Sequence, residues 1–230
     1  MTPEAPPRRP VRSFVRREGR FTTAQRRAVD SLLPKYGVPE GDEPIDFTAL
    51  FGRAAPVHLE IGFGNGEALA AMARLHPEIN FLGIEVHRPG VGALLQRLEA
   101  EALSNVRVIS ADAVDVLSRR IPDQSLSALY LFFPDPWPKL RHHKRRLVQP
   151  GLVSLVRHKL QIGGLWHLAT DWEDYARHML VVLTDAEGFD NATGPGQFAA
   201  RPESRPLTRF ERRGQKLGHG VWDLVFRRVG

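Results

Sequence analysis

From Val57 onward, short apolar runs alternate with stretches in which apolar residues recur every three or four positions. The runs Val57–Ile61, Phe81–Glu85, Val106–Ser110, Leu126–Phe133 and Gly164–Ala169 are too short for helices and too continuous for a half-exposed sheet. They read as strands buried on both faces. Between and after them, Glu67–Leu75, Val91–Leu103, Ala113–Arg119, Val148–Leu160 and Trp172–Ala186 carry the helical period. Strand–helix alternation implies right-handed crossovers and a parallel sheet. The ending differs: Leu207–Lys216 and Val221–Val229, joined by Leu217-Gly218-His219-Gly220, read as an antiparallel pair. The predicted fold is a doubly wound α/β sheet, mostly parallel, of about seven strands.

The first 55 residues follow another pattern. Residues 1–20 are rich in Pro and Arg and lack periodicity, as a flexible arm does. Thr22 to Gln25 followed by Val29, Leu32 and Leu33 predicts a capped helix ending near Gly37, with a loop from there to about residue 55. The expected division is a basic arm and helix over 1–55 and a catalytic α/β domain over 56–230.

Composition excludes several chemistries. The chain of 230 residues has no cysteine, so it has no disulfide and no thiolate nucleophile or metal ligand. No run approaches the roughly 18 apolar residues of a membrane span, and no secretory signal opens the chain. A cytoplasmic location is expected. Net charge is +6, but its distribution says more. Residues 1–30 carry eight basic and three acidic side chains, 136–170 seven and none, and 201–230 eight and three, whereas 31–135 hold eight against fourteen. Three basic segments around an acidic middle suit a polyanion gripped beside a differently charged pocket.

Ligands of such sheets sit beyond the carboxyl ends of the strands. The polar residues falling there are Glu60 with the loop Gly62-Phe63-Gly64-Asn65-Gly66, then Glu85, Asp112, Asp135 and Asp171. Asp112 and Asp171 could equally be helix caps. Together the acids outline a nucleoside pocket. Gly-x-Gly-x-Gly departs from the Gly-x-Gly-x-x-Gly of nicotinamide folds, and Glu60 suits a cation better than a phosphate. S-adenosylmethionine (SAM) offers an ammonium and a sulfonium, with a ribose for Glu85 and an adenine for Asp112.

Further motifs sharpen the reading. Glu60–Gly66, Gly83-Ile84-Glu85-Val86, Phe133-Pro134-Asp135-Pro136-Trp137-Pro138-Lys139, His143-Lys144-Arg145-Arg146, Thr170-Asp171-Trp172 and Thr208-Arg209-Phe210-Glu211 resemble the bacterial tRNA (guanine-N7-)-methyltransferases. Arg12–Arg17 is similar to the basic arm of that family. The resemblance implies that Glu60, Glu85, Asp112, Asp135 and the glycines Gly62, Gly64 and Gly66 serve SAM. It also implies that Lys139, Asp171 and Thr208, Arg209, Phe210 and Glu211 contact the substrate. Arg141, His142, His143, Lys144, Arg145 and Arg146 would lie against RNA, and the target would be guanine 46 of the tRNA variable loop.

One acid at the lip of a basic patch fits that chemistry. Guanine N7 has a free lone pair, so no base need deprotonate it, but methylation makes the purine cationic. Asp135 is the expected catalytic residue, facing that charge. Trp137 reads either as core or as a stacking surface for an extruded base. His142 and His143 lack the partners of a metal site, and none is expected. His219 reads as a turn residue. A nicotinamide oxidoreductase would have no use for Asp135 among cations, and a non-catalytic RNA binder none for Glu60 and its loop. A monomer and a homodimer fit the sequence equally.

Overall fold

The computed structural model describes residues 21–203, 205–207, 211–212 and 220–230. The arm, Thr208, Arg209, Phe210 and His219 lie outside them. Seven strands form one sheet: β1 Val57–Ile61, β2 Asn80–Ile84, β3 Val106–Ile109, β4 Leu126–Phe132, β5 Leu160–Thr170, β6 Phe189–Asn191 and β7 Trp222–Arg228. Their spatial order is β3-β2-β1-β4-β5-β7-β6. The first five are parallel, while β7 runs antiparallel between β5 and β6. The chain leaves β1 toward β2 and β3, then returns to place β4 on β1's other side. That reversal opens a crevice at the carboxyl ends of β1 and β4, where ligands bind in open α/β sheets.

Helices cover both faces. On one, α1 Thr23–Tyr36, α3 Glu67–Leu75 and α4 Arg88–Ala100 pack Val29, Leu69, Leu94 and Leu98 onto Phe81, Val106 and Val108. On the other, α5 Ala113–Arg119, α6 Pro150–Lys159 and α7 Glu173–Thr184 pack Leu117, Val153, Val156 and Met179 onto Leu59, Leu82, Leu129 and Trp166. Alternate residues of each central strand serve opposite layers, so β2 is buried along its whole length.

Helix starts follow local chemistry. Thr22 and Gln25 form a reciprocal capping box at α1. Pro150 opens α6 because Gln149 before it is held extended, so the helix begins two residues later than the apolar pattern predicts. Trp172 is the residue before α7 and is not part of it. The expected loop before residue 55 contains a short helix, α2 Phe47–Phe51, capped by Asp46.

Two strand assignments change. β5 starts at Leu160 and not at Gly164, because a register irregularity opposite Leu126 and Ala128 absorbs Gly163 and Gly164 into the strand. The antiparallel partner of β7 on its outer side is β6, where the sequence predicts Leu207–Lys216. Of that stretch the described residues are Leu207, Glu211 and Arg212, and the last two are helical. Glu211 is held inward by an ion pair with Arg205.

Candidate nucleotide and RNA site

The crevice is built from the loops that follow β1, β2 and β4. Gly62 and Gly64 have φ of 72° and 55°, a left-handed conformation that costs glycine little. A Cβ at either would meet no atom of the described residues within 4 Å, so among them the loop presents bare backbone to open space. Behind it, a Cβ on Gly90 would lie 2.2 Å from the Gly64 carbonyl oxygen. The first turn of α4 thus buttresses the loop directly.

Glu85 holds this loop from below. One carboxylate oxygen accepts the Gly64 amide at 2.8 Å and the other the His87 amide at 2.8 Å, stitching the β1–α3 loop to the β2–α4 turn. Glu60 is different. It is 3 % exposed, and its Oε2 has no hydrogen-bond partner among the described residues. Tyr130 is its cross-strand neighbour, but the phenol pairs with His58 Nδ1 at 2.8 Å. Burial, and then the Glu85 charge, push Glu60 up to about 8. A buried carboxylate without a partner beside an open cradle is a site made for a cation. Asp112 accepts the Val114 amide at 2.8 Å and caps α5, so the cap reading of this residue holds; that bond leaves its other oxygen for a ligand.

Beyond β4 the chain bends sharply. Phe133 and Trp137 have φ of 52° and 47°, which side chains other than glycine seldom adopt, and Asp135 stands exposed between them. The basic run then winds into a 3-10 turn, Leu140–Arg145. Lys139, Arg141 and Lys144 are exposed, and His142 and His143 half-buried. Trp137 is half-buried too, with the Arg145 guanidinium 5.0 Å from its ring centroid and His142 edge-on at 5.8 Å. It is therefore neither plain core nor a bare platform. Slight desolvation, then the surrounding cations, lower the His142 pKa.

Arg146 departs from expectation. Its side chain is 1 % exposed and paired with Asp174, so it turns away from the exposed face that Arg141 and Lys144 share. Glu211 is likewise buried, in a bidentate pair with Arg205. Asp171 lies half-buried at the end of β5.

Sequence reading missed a buried polar group beside this loop. Arg205 pairs with Glu211 and Asp223, His167 bonds Asp223 at 2.7 Å, and the Arg205 guanidinium lies 5.7 Å from the Phe133 ring centroid. Burial would lower the Arg205 pKa, but its hydrogen bonds to Glu211 and Asp223 outweigh it and the net direction is up. For Asp223 burial acts upward, and the bonds from His167 and Arg205 bring it below its ordinary value. Nothing local marks these residues, because their partners arrive from β5, β7 and the 205–211 stretch. Among the described residues, no cluster of three or more His, Cys, Asp or Glu could hold a metal ion, and no helix is long and apolar enough to cross a membrane.

Comparison with known proteins fits this geometry. Residues 54–224 match the family model Methyltransf_4, described as "Putative methyltransferase". The chain is 59 % identical over 223 residues to the tRNA (guanine-N(7)-)-methyltransferase of Pectobacterium atrosepticum, covering 97 % of this chain and 93 % of that one. It is 58 % identical to that of Klebsiella pneumoniae, again covering 97 % and 93 %. Among solved structures, the 16S rRNA methyltransferase KamB shares the fold, with a TM-score of 0.61 at 18 % identity over 85 % of this chain and 99 % of that one. Haemonchus contortus phosphoethanolamine N-methyltransferase 2, solved with S-adenosyl-L-methionine, aligns with a TM-score of 0.50 at 12 % identity, over 88 % of this chain and 56 % of that one. The chain belongs to the tRNA (guanine-N(7)-)-methyltransferases, enzymes built here on a Rossmann-like SAM methyltransferase fold.

Proposed function

We propose that this enzyme methylates N7 of guanine 46 in the tRNA variable loop, with SAM as donor. The observation that carries the reading is the buried, unpartnered Glu60 beside the open backbone of Gly62 and Gly64. This chemistry fits the donor. Glu60 offers a buried anion for the ammonium, Gly62 and Gly64 admit the chain of the ligand, Glu85 takes the ribose, and Asp112 the adenine edge, while Gly66 instead lets the loop pack on Leu94. Bound there, SAM supplies a methyl group made electrophilic by its sulfonium.

The remaining work falls to the protein. Asp135 sits at the β4 end of the crevice, beside the loop of Glu60, where it contacts the donor and faces the purine. No base is required, because N7 attacks with its own lone pair. Asp135 stabilises the positive charge that spreads over the ring as the bond forms, and it accepts from the guanine amino edge. Lys139, Asp171 and Thr208 to Phe210 hold the nucleotide, while Glu211 is taken up by Arg205. Arg141, His142, His143, Lys144 and Arg145 bind neighbouring phosphates, with the arm within 1–55 adding charge to the 56–230 domain. Trp137, already stacked by Arg145, extends an aromatic edge toward an extruded base. The enzyme would work in the cytoplasm, where its tRNA is.

The test is methyl transfer from labelled SAM to unmodified tRNA transcripts, followed by reduction and aniline cleavage. One cleavage in the variable loop is expected. Label without cleavage would refute the N7 atom, and cleavage elsewhere would refute position 46.

A further inference from the structure

We propose that Arg146 and Asp174 form a cross-tie that sets the Asp135 loop, making Arg146 a positioning residue and not a phosphate contact. The inference rests on the catalytic reading of Asp135 above. In sequence Arg146 is one cation in a run of five between Lys139 and Arg146. In the fold it alone of that run is buried.

Two of its guanidinium nitrogens and its face are engaged. Nε donates to the Pro136 carbonyl at 2.9 Å, a terminal nitrogen pairs with Asp174, and the plane lies 4.9 Å from the Tyr175 ring centroid. The Tyr175 hydroxyl accepts the Val148 amide at 3.1 Å, which fixes the chain just beyond Arg146. Burying a guanidinium is costly unless its charge is paired, and here Asp174 pairs it while Pro136 takes the Nε donor. A phosphate-binding arginine has no need of that cost.

What the tie holds is the chain on either side of Asp135. Phe133 and Trp137 are both kept at positive φ, a conformation that persists only where surrounding contacts over-determine it. On the near side, the Phe133 amide donates to Ala169 of β5 at 2.7 Å. On the far side Arg146 anchors the Pro136 carbonyl, one residue from Asp135. Asp174 lies in the first turn of α7, three residues after Asp171. The tie therefore sets the loop after β4 against the loop after β5, and with it the spacing of the two acids. A lysine could pair with Asp174, but it has no planar fork to bond Pro136 and stack on Tyr175 as well.

The test compares Arg146→Lys, Asp174→Ala and Asp174→Glu with Arg141→Gln and Lys144→Gln in the full-length enzyme. We expect Arg146→Lys and Asp174→Ala to lower kcat at least about tenfold, which is the loss a misplaced catalytic group produces. Their tRNA affinity, and its dependence on salt, should stay near wild type, and Asp174→Glu should recover part of kcat. Arg141→Gln and Lys144→Gln should instead flatten the salt dependence by roughly one unit of log–log slope each. Hydrogen exchange at the Phe133, Asp135 and Trp137 amides, resolved residue by residue, reads the loop without turnover and should quicken in Asp174→Ala. Asp174 is 63 % exposed, so that variant keeps the test open if Arg146→Lys fails to fold. Loss of salt slope in Arg146→Lys with kcat intact would overturn the proposal in favour of a phosphate contact. Unchanged kcat and unchanged exchange in Asp174→Ala would overturn it outright. A wild-type enzyme that makes no N7-methylguanine would instead refute the functional reading, while the exchange result would still judge the tie.

Discussion

Binding of the donor should expel a proton, and Glu60 is the reason. Burial and the Glu85 charge hold its free-pocket pKa at about 8. At pH 7 such a group is neutral in about nine molecules of ten. A ligand ammonium paired with it selects the anion, so about 0.9 proton leaves Glu60. The α-amino group of the ligand has its own pKa of roughly 7.7–8.0 and takes up a little over 0.1 proton, leaving a net release near 0.8 at pH 7. The same linkage sets the affinity profile: about eightfold tighter from pH 6 to 7, a further two- to threefold from 7 to 8, then a maximum near pH 8 and a decline as the ligand ammonium loses its proton. Calorimetry of SAM binding in buffers of different ionisation enthalpy measures the released protons directly. Glu60→Gln should bind more weakly and lose the pH dependence. Net release near zero, with affinity flat from pH 6 to 8, would refute the assignment of Glu60 as the ammonium's partner. The free protein carries the opposite sign. An acid whose folded pKa is raised stabilises the fold at low pH, and that contribution is lost as pH rises from about 4.5 towards 8. Thermal melts of the unliganded protein should therefore fall over that window, and those of Glu60→Gln should not.

Three further outcomes are expected. Asp135→Asn should lower kcat by about a hundredfold, the scale of one lost electrostatic contact in a transition state, with tRNA affinity unchanged in a filter-binding assay; equal losses in both would contradict its catalytic role. Gly90→Ala should drive a methyl into the Gly64 carbonyl. Overpacking of that kind costs about 1–3 kcal/mol, which lowers Tm by roughly 2–10 °C in a domain of this size, and SAM affinity should drop with it. Arg205→Met should strand Glu211 and Asp223 in the interior; breaking a buried pair costs about 3–5 kcal/mol, readable by urea denaturation.

The alternation of apolar runs with helical periods was sufficient to place β1 to β4 within a residue at either end, because each strand is buried on both faces and little else produces such runs. Proline and glycine, whose effects are local, marked the cradle at Gly62–Gly66 and the stiff turn around Asp135. The acids at the strand ends were legible for the same reason: their positions follow from where each strand stops. β6 was not, since three residues with one buried side chain carry no period.

Charge burial was the other thing hidden from the sequence. Arg145 and Arg146 are adjacent and chemically identical, yet one lies half-open on Trp137 and the other is enclosed. Arg146 turns inward because Asp174, 28 residues away, and the Pro136 carbonyl await it there. Glu211 turns inward because Arg205 and β7 meet above the sheet. Glu60 was marked by its place before the glycines, but only the folded sheet leaves it buried and unpaired, with Tyr130 turned to His58. The sequence alone determined the fold class, the cradle and the row of acids, because those depend on neighbours along the chain. The tertiary structure decided which charges face solvent and which hold the site together, since the cost of burying a charge is offset only by partners that folding brings from elsewhere.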